Sequence, residues 1–230
     1  MQHANIVSIQ IGLPRTLGRE DALDPAERLW TTGIFKSPVA GAVWLGRLNL
    51  AGDGQADLKA HGGPHKAVCV YPAEHYPLWG EELGLSEMSY GSFGENFTTQ
   101  GLLEGEVCVG DVFAVGTASV EVSQPRSPCR KLARRWQVSD MVDRVLASRR
   151  TGWYLRVLQE GEVRASDELV LMERPCPEWT VERATQVMHR DKADLDAARA
   201  LSACLALAPG WRESLARRLR GNGPENGLVE

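Results

Sequence analysis

The chain has 230 residues, 43% hydrophobic and 24% charged, with a formal net charge of −4. This fits a globular protein with room for one mid-sized domain plus an appendage, or two small domains, and the acidic balance argues against binding to a nucleic-acid polymer or a membrane surface, both of which favour a basic excess. No stretch approaches the roughly 20 apolar residues of a membrane span, and Met1 to Gln10 lack the basic start and apolar run of a signal peptide, so a cytoplasmic location is expected.

Residues 5–11 (NIVSIQI) alternate apolar and polar side chains, as a half-buried strand does; 42–48 (AVWLGRL) and 66–71 (KAVCVY) are two further strands. Between these two lies AGDGQADLKAHGGPH, a Gly- and Asp-rich loop of a length that usually serves function. Residues 73–84 predict a short helix ending near Gly84. After the irregular SYGSFGENFTTQGL, the segments VCVGDVFAVG and ASVEVSQ predict two short strands joined by a Gly-containing turn. Helical pattern follows in CRKLARRW and SDMVDRVLASRR, the latter with Ser139 or Asp140 as N-cap. GWYLRVL and DELVLMERP return to strand. From Thr180 the pattern is helical over 180–190, 192–207 and 211–220, with Pro209 and Gly210 separating the last two.

The composition changes near Pro175 and Pro177, which divides the chain into a mainly β domain over 1–174 and a three-helix unit over 179–222. Many short strands between Gly-rich turns predict a barrel or sandwich rather than a doubly wound sheet. No GxGxxG or P-loop segment points to dinucleotide or nucleotide chemistry. The helical unit is too small for much core of its own and should pack on the β domain or a partner; its apolar surplus is compatible with a homodimer.

The five cysteines, Cys69, Cys108, Cys129, Cys176 and Cys204, are odd in number and widely spaced, which excludes CxxC metal signatures and a secreted disulfide framework. Cys69 and Cys108 sit in apolar strand runs and read as core; Cys204 lies on an apolar helix face and Cys176 between two prolines. Cys129 differs. In SQPRSPCRKL, Ser127 suits an N-cap and Pro128 the first helical position, which puts Cys129 in the first turn of a helix beside Arg126, Arg130 and Lys131. Free N–H groups, the helix dipole and these cations all favour its thiolate, the form that ligates metals or attacks electrophiles; by itself, a small buried residue is the more frequent role of such a cysteine.

Two loops add polar groups. In DLKAHGGPHKAV, Gly62 and Gly63 allow close approach of backbone to a ligand, with His61, His65 and Lys66 nearby. A two-histidine zinc site lacks a third ligand at sensible spacing, and solvated histidines before a strand are the plainer reading. In GSFGENFTT, Gly94 and Asn96 suit an anion-binding nest, or a plain turn.

Read together, GIFKSPVAG, GDGQADLKAHGG, KAVCVY, SFGENFTT, VCVGDVFAVG and VSQPRSPCRKL resemble the MOSC superfamily, named for the C-terminal domain of molybdenum cofactor sulfurase. The resemblance runs through most of the chain and is strongest to the YiiM-like subfamily, linked to resistance to N-hydroxylated base analogues such as 6-hydroxylaminopurine; the three-helix tail is similar to that subfamily's C-terminal extension. At one place the pattern departs: the family commonly shows an acidic residue before the Lys, where this chain has His65.

The resemblance implies a MOSC-type β-barrel with short helices, with Cys129 ligating the molybdenum of a molybdopterin cofactor. A soft thiolate suits that sulfur-rich metal. The cofactor is anionic, so Lys36, Lys66, Arg126 and Arg130, the backbone at Gly62 and Gly63, and Asn96, Thr98 and Gln124 are the candidates to hold it; Arg126 and Lys36 lead. The implied reaction is reduction of an N-hydroxylated base or related small molecule to its amine, for detoxification, with His61 or His65 donating protons. The sequence shows no flavin, haem or iron–sulfur motif, so electrons would come from a separate reductase, expected to be a flavoprotein. Two alternatives use the same residues: a sulfur carrier or cofactor-handling module with a Cys129 persulfide, and a non-enzymatic binder of an anionic small molecule.

Overall fold

The computed structural model describes residues 3–24 and 27–221. In chain order the strands are β1 (His3–Ile11), β2 (Arg15–Leu17), β3 (Trp30–Thr32), β4 (Ser37–Pro38), β5 (Val43–Leu45), β6 (Val68–Pro72), β7 (Phe97–Gln100), β8 (Val112–Val115), β9 (Ala118–Pro125), β10 (Trp153–Gln159), β11 (Gly161–Val163) and β12 (Glu168–Glu173). The helices are α1 (Leu58–His61), α2 (His75–Leu83), α3 (Arg130–Trp136), α4 (Met141–Ser148), α5 (Val181–His189), α6 (Leu195–Ala203) and α7 (Pro209–Leu219).

Seven strands run β12-β8-β9-β10-β6-β7-β1, and β1 pairs back onto β12 to close the barrel; β4 extends β1 at its far end. All barrel pairs are antiparallel except β6–β7. Side chains alternate across a strand, so one set fills the interior: Ile6, Val68, Val70, Phe97, Phe113, Val120, Val122 and Leu155 belong to one buried cluster. The mainly β fold with short helices and a three-helix end is therefore observed, not just expected.

The opposite face of β6 is also covered, which is why the whole strand is buried. Tyr71 leaves the barrel core and joins Tyr76, Trp79, Phe93, Leu132, Met141 and Val145 in a second cluster, against which α2, α3 and α4 pack. Tyr71 stacks on Phe93 (4.2 Å between centroids, 15° between planes), and Trp79 Nε1 donates to Tyr71 Oη at 2.6 Å. Fully burying a side chain of this size contributes roughly 1.5–3 kcal/mol, so this cluster is enough to fix the 91–96 loop and α3 on the barrel wall.

Several elements differ from expectation. The 51–65 loop contains α1, because Asp57 caps it by accepting from Lys59 N and Ala60 N (2.9 and 3.0 Å). The strand expected over 107–116 begins only at Val112, since Asp111 instead accepts from Cys108 N (2.8 Å) and pairs with Arg174. Pro209 occupies the start of α7 rather than lying outside it, a position where its missing N–H costs nothing.

The helices α5–α7 share a core of Trp179, Val187, Leu201, Trp211 and Leu215, which includes Val109 from the barrel side. Backbone bonds join the two parts: Val109 N to Trp179 O, Val181 N to Val107 O and Ala208 N to Ser123 O, each 2.8 Å. Cys176 and Cys204 lie here with their sulfurs 3.3 Å apart. Among the described residues no helix is long and apolar enough to cross a membrane.

Candidate functional site

A cleft of about 630 Å³, counted to its open mouth, lies outside β6 and β10. Its walls come from chain segments far apart in sequence: Gly33, Ile34 and Lys36; Gly54 to Ala56; His61 and Lys66; Phe93, Gly94 and Asn96; Arg126, Ser127, Cys129 and Lys131. Cys69 and Tyr154, from β6 and β10, also line it. Glycine makes two of these approaches possible. A Cβ at Gly33 would lie 2.6 Å from Gly54 O, and Gly94 has φ +76 with Ile34 Cγ1 2.8 Å from where its Cβ would be.

Two buried carboxylates hold the walls together, and both escaped the sequence reading. Asp53 accepts from Gly12 N (2.9 Å) and Asn96 Nδ2 (2.8 Å) and forms an ion pair with Lys36. Glu95 accepts from Gly91 N (2.6 Å), Phe93 N (3.1 Å), Thr98 Oγ1 (2.9 Å) and Tyr76 Oη. Charged acceptors satisfied in this way make strong, directional brackets. No local signal marks them: each sits in a Gly-rich loop where an acidic residue normally faces water.

The Cys129 segment leaves β9 and enters α3. Cys129 is itself the N-cap, in extended conformation (φ −121, ψ 164), and α3 begins at Arg130. This corrects the expected helix start at Pro128: the helix begins two residues later, and the thiol sits at its edge. Cys129 is 9% exposed and lines the cleft with both glycine loops. Arg126 is buried beneath it; Nη2 donates to Phe93 O (2.7 Å), while Nη1 is buried with no partner. Burial opposes its charge, but the neighbouring groups of Cys69, Tyr154 and Cys129 outweigh that and hold it above its ordinary value. Cys69, expected in the barrel core, is on the outer face of its strand, and burial pushes its thiol up to about 11.

The remaining candidates separate clearly. His61 lines the cleft, but burial and the cations of Lys66, Arg126 and Lys131 depress it to about 4. It is therefore a neutral imidazole near pH 7 in the chain by itself. His65 does not line the cleft: its carbonyl accepts from Ser123 Oγ (2.6 Å), and its Nδ1 is buried without a partner. Lys66 lines the cleft, donates to Ala60 O and lies 5.9 Å from the Tyr154 ring centroid; burial lowers its pKa. Lys36 lines it too, but its ammonium is committed to Asp53. Asn96 is similarly saturated, accepting from Cys69 N (3.0 Å) and donating to Gln10 O (3.2 Å) and Asp53.

Gly62, Gly63, Thr98, Gln124 and Arg130 lie outside the lining. Thr98 is occupied by Gln10 and Glu95, Gln124 Nε2 donates to Pro125 O (3.3 Å), and Arg130 is exposed on α3. Among the described residues no group of three or more His, Cys, Asp or Glu is placed to hold a metal. A metal here would have to bring most of its own ligands.

Comparison with known proteins identifies the family. Residues 57–170 match the MOSC domain, and residues 179–222 match the YiiM-like, 3-alpha helix domain. YflK of Bacillus subtilis is 44% identical over 93% of this chain and 94% of its own length. The crystal structure of YiiM from Geobacillus stearothermophilus superposes with a TM-score of 0.78 at 36% identity, covering 94% of this chain and 99% of that one. A protein named as a reductase, from Gibberella moniliformis, is 34% identical over 72% of this chain, which corresponds to 30% of that longer protein. The chain belongs to the MOSC-domain family, in the YiiM-like group that joins this barrel to a three-helix domain.

Proposed function

We propose that the protein reduces N-hydroxylated small molecules, such as base analogues, to the corresponding amines, using a molybdenum–pterin cofactor held in the cleft. The observation that carries this reading is the pairing, in one cleft, of the Cys129 thiol with a buried guanidinium nitrogen that has no protein partner. MOSC membership is associated with molybdenum-cofactor binding, and a relative carrying the name reductase is in keeping with redox chemistry.

The donor set fits such a group. A thiolate is a soft ligand for a sulfur-rich metal; Arg126 Nη1 is free to meet an anionic oxygen, and Lys66 and Lys131 add positive potential. The cofactor would supply the two-electron redox step. The overall change is R–NHOH + 2 e⁻ + 2 H⁺ → R–NH₂ + H₂O, with the electrons drawn from a separate reductase, such as a flavoprotein. In this reading Cys129 Sγ would ligate the metal and Arg126 would hold an anionic oxygen of the cofactor. His61 presents an imidazole at the cleft wall, and the Tyr154 phenol keeps its proton because burial raises its pKa.

Expression of the full chain in a host that makes the cofactor should give about one molybdenum per chain together with turnover of an N-hydroxylated base, and Cys129→Ser should lose both. Full metal content in Cys129→Ser would overturn the reading. A persulfide on Cys129 without turnover would instead identify a sulfur carrier.

A further inference from the structure

The proposed chemistry uses only barrel residues and leaves the three-helix unit without a task. The way Cys129 is held suggests one. Outside the strand and helix ladders, backbone bonds pin the two ends of the stretch around the thiol, from Arg126 N to Gly152 O (3.1 Å) and from Leu132 N to Cys129 O (3.0 Å). Ser127, Pro128 and Cys129 span the gap between strand and helix, and Pro128 has no N–H to offer. This stretch therefore depends on side chains for its position.

One such contact comes from the three-helix unit. His189, the last residue of α5, places Nε2 3.4 Å from Ser127 Oγ, and Ser127 lines the cleft two residues before Cys129. The imidazole is itself well fixed. Its ring meets Trp211 of α7 edge-on (5.8 Å, 82°), and Arg218 binds the carbonyls of Val187 and Met188 just before it (2.7 and 2.6 Å). Farther back, Ala208 N donates to Ser123 O on β9, the strand that runs into the thiol segment (2.8 Å). The helices thus hold this strand and the turn after it at two points.

We propose that the three-helix unit braces the thiol: His189, as a positioning residue, holds Ser127 and so fixes the turn that presents Cys129 to the cleft. This rests on the reading of Cys129 as the working thiol. Burial, with Lys192 and Arg218 nearby, depresses His189 to about 4. Near pH 7 the contact is therefore a hydrogen bond between neutral groups, with the donor set by the imidazole tautomer. Groups that hydrogen-bond a ligating side chain reduce metal affinity or activity by about 10–100-fold when lost; His189 acts one step farther out, through Ser127, so its effect on metal affinity should be smaller.

The test uses the full chain without metal. Iodoacetamide labelling of Cys129 at fixed pH is followed by mass spectrometry, alongside hydrogen exchange of the 126–131 amides. Ser127→Ala and His189→Met, the latter keeping bulk but no ring nitrogen, should each raise the labelling rate about threefold or more and speed local exchange. The double variant should do no more than either single one, and His189→Gln, which keeps a polar nitrogen, should restore the slow rate. Ser127→Ala removes only a hydroxyl and so tests the contact even if His189→Met unfolds the helices. An unchanged labelling rate in Ser127→Ala, or effects that multiply in the double variant, would overturn the inference. Because no metal is needed, this outcome is independent of whether the protein binds molybdenum.

Discussion

The buried pair of Lys36 and Asp53 makes a quantitative claim. Their side chains are 5% and 0% exposed, and the Asp53 carboxylate also accepts from Gly12 N and Asn96 Nδ2. Lys36→Met strands a negative charge among two remaining donors, and Asp53→Asn strands a positive one. Breaking one partner of such a pair costs about 3–5 kcal/mol, because the other charge stays buried without compensation. At this chain length each single variant should melt roughly 10 °C lower. The double variant Lys36→Met/Asp53→Asn removes both charges while its amide oxygen still accepts from Gly12 or Asn96, so it should cost only about 1–2 kcal/mol. The coupling between the sites is therefore at least about 4 kcal/mol. Urea unfolding at pH 7, followed by tryptophan fluorescence with the m-values compared, measures all four corners of the cycle. Losses that add in the double variant would refute the argument and would leave Lys36 free to serve as a ligand-binding cation.

Two further predictions concern acid and glycine. His61 and His189 are both held near 4 in the folded chain, against 6.5 in the unfolded chain. The unfolded state therefore binds more protons between these values, and the stability present above pH 6.5 is lost as pH falls towards 4. Between pH 7 and 5 this is about 2 kcal/mol per histidine; unfolding curves at the two pH values should show it, and His61→Gln should remove its share. Gly94→Ala should cost roughly 1–3 kcal/mol from positive φ and the clash with Ile34, whereas Gly63→Ala, also at positive φ (+89) but with open space around it, should cost about 1 kcal/mol. Equal losses in thermal melts would show that the packing against Ile34 contributes nothing.

The cleft was partly legible before any coordinates. Cys129 and the two glycine loops announce themselves locally, through Pro, Gly and charge packed into short stretches, and the cleft does bring them together. Cys69 and Tyr154 were hidden for a physical reason. Helices cover the outer face of β6, so both faces are apolar and the period of two that would separate Cys69 from Val68 and Val70 disappears. Lys36 does line the cleft, but its ion pair with Asp53 was not legible, because Asp53 belongs to another loop and nothing in the order of residues says that the two meet. His61 and His65 looked equivalent while the loop was read as shapeless; α1 and the short turn over Pro64–Lys66 send one to the cleft and the other towards Ser123 and Arg156.

The pairing of β1 with β12 also bears on how the chain is made. His3 lies opposite Val170, so the first strand waits for one of the last before its outer hydrogen bonds are satisfied. During synthesis a growing sheet with an open edge must persist until that region leaves the ribosome, and contacts so distant in sequence form slowly. An unpaired edge invites pairing with other chains. Nascent chains halted before residue 168 should therefore aggregate, while release of the final strand should restore solubility even before α5–α7 emerge to dock.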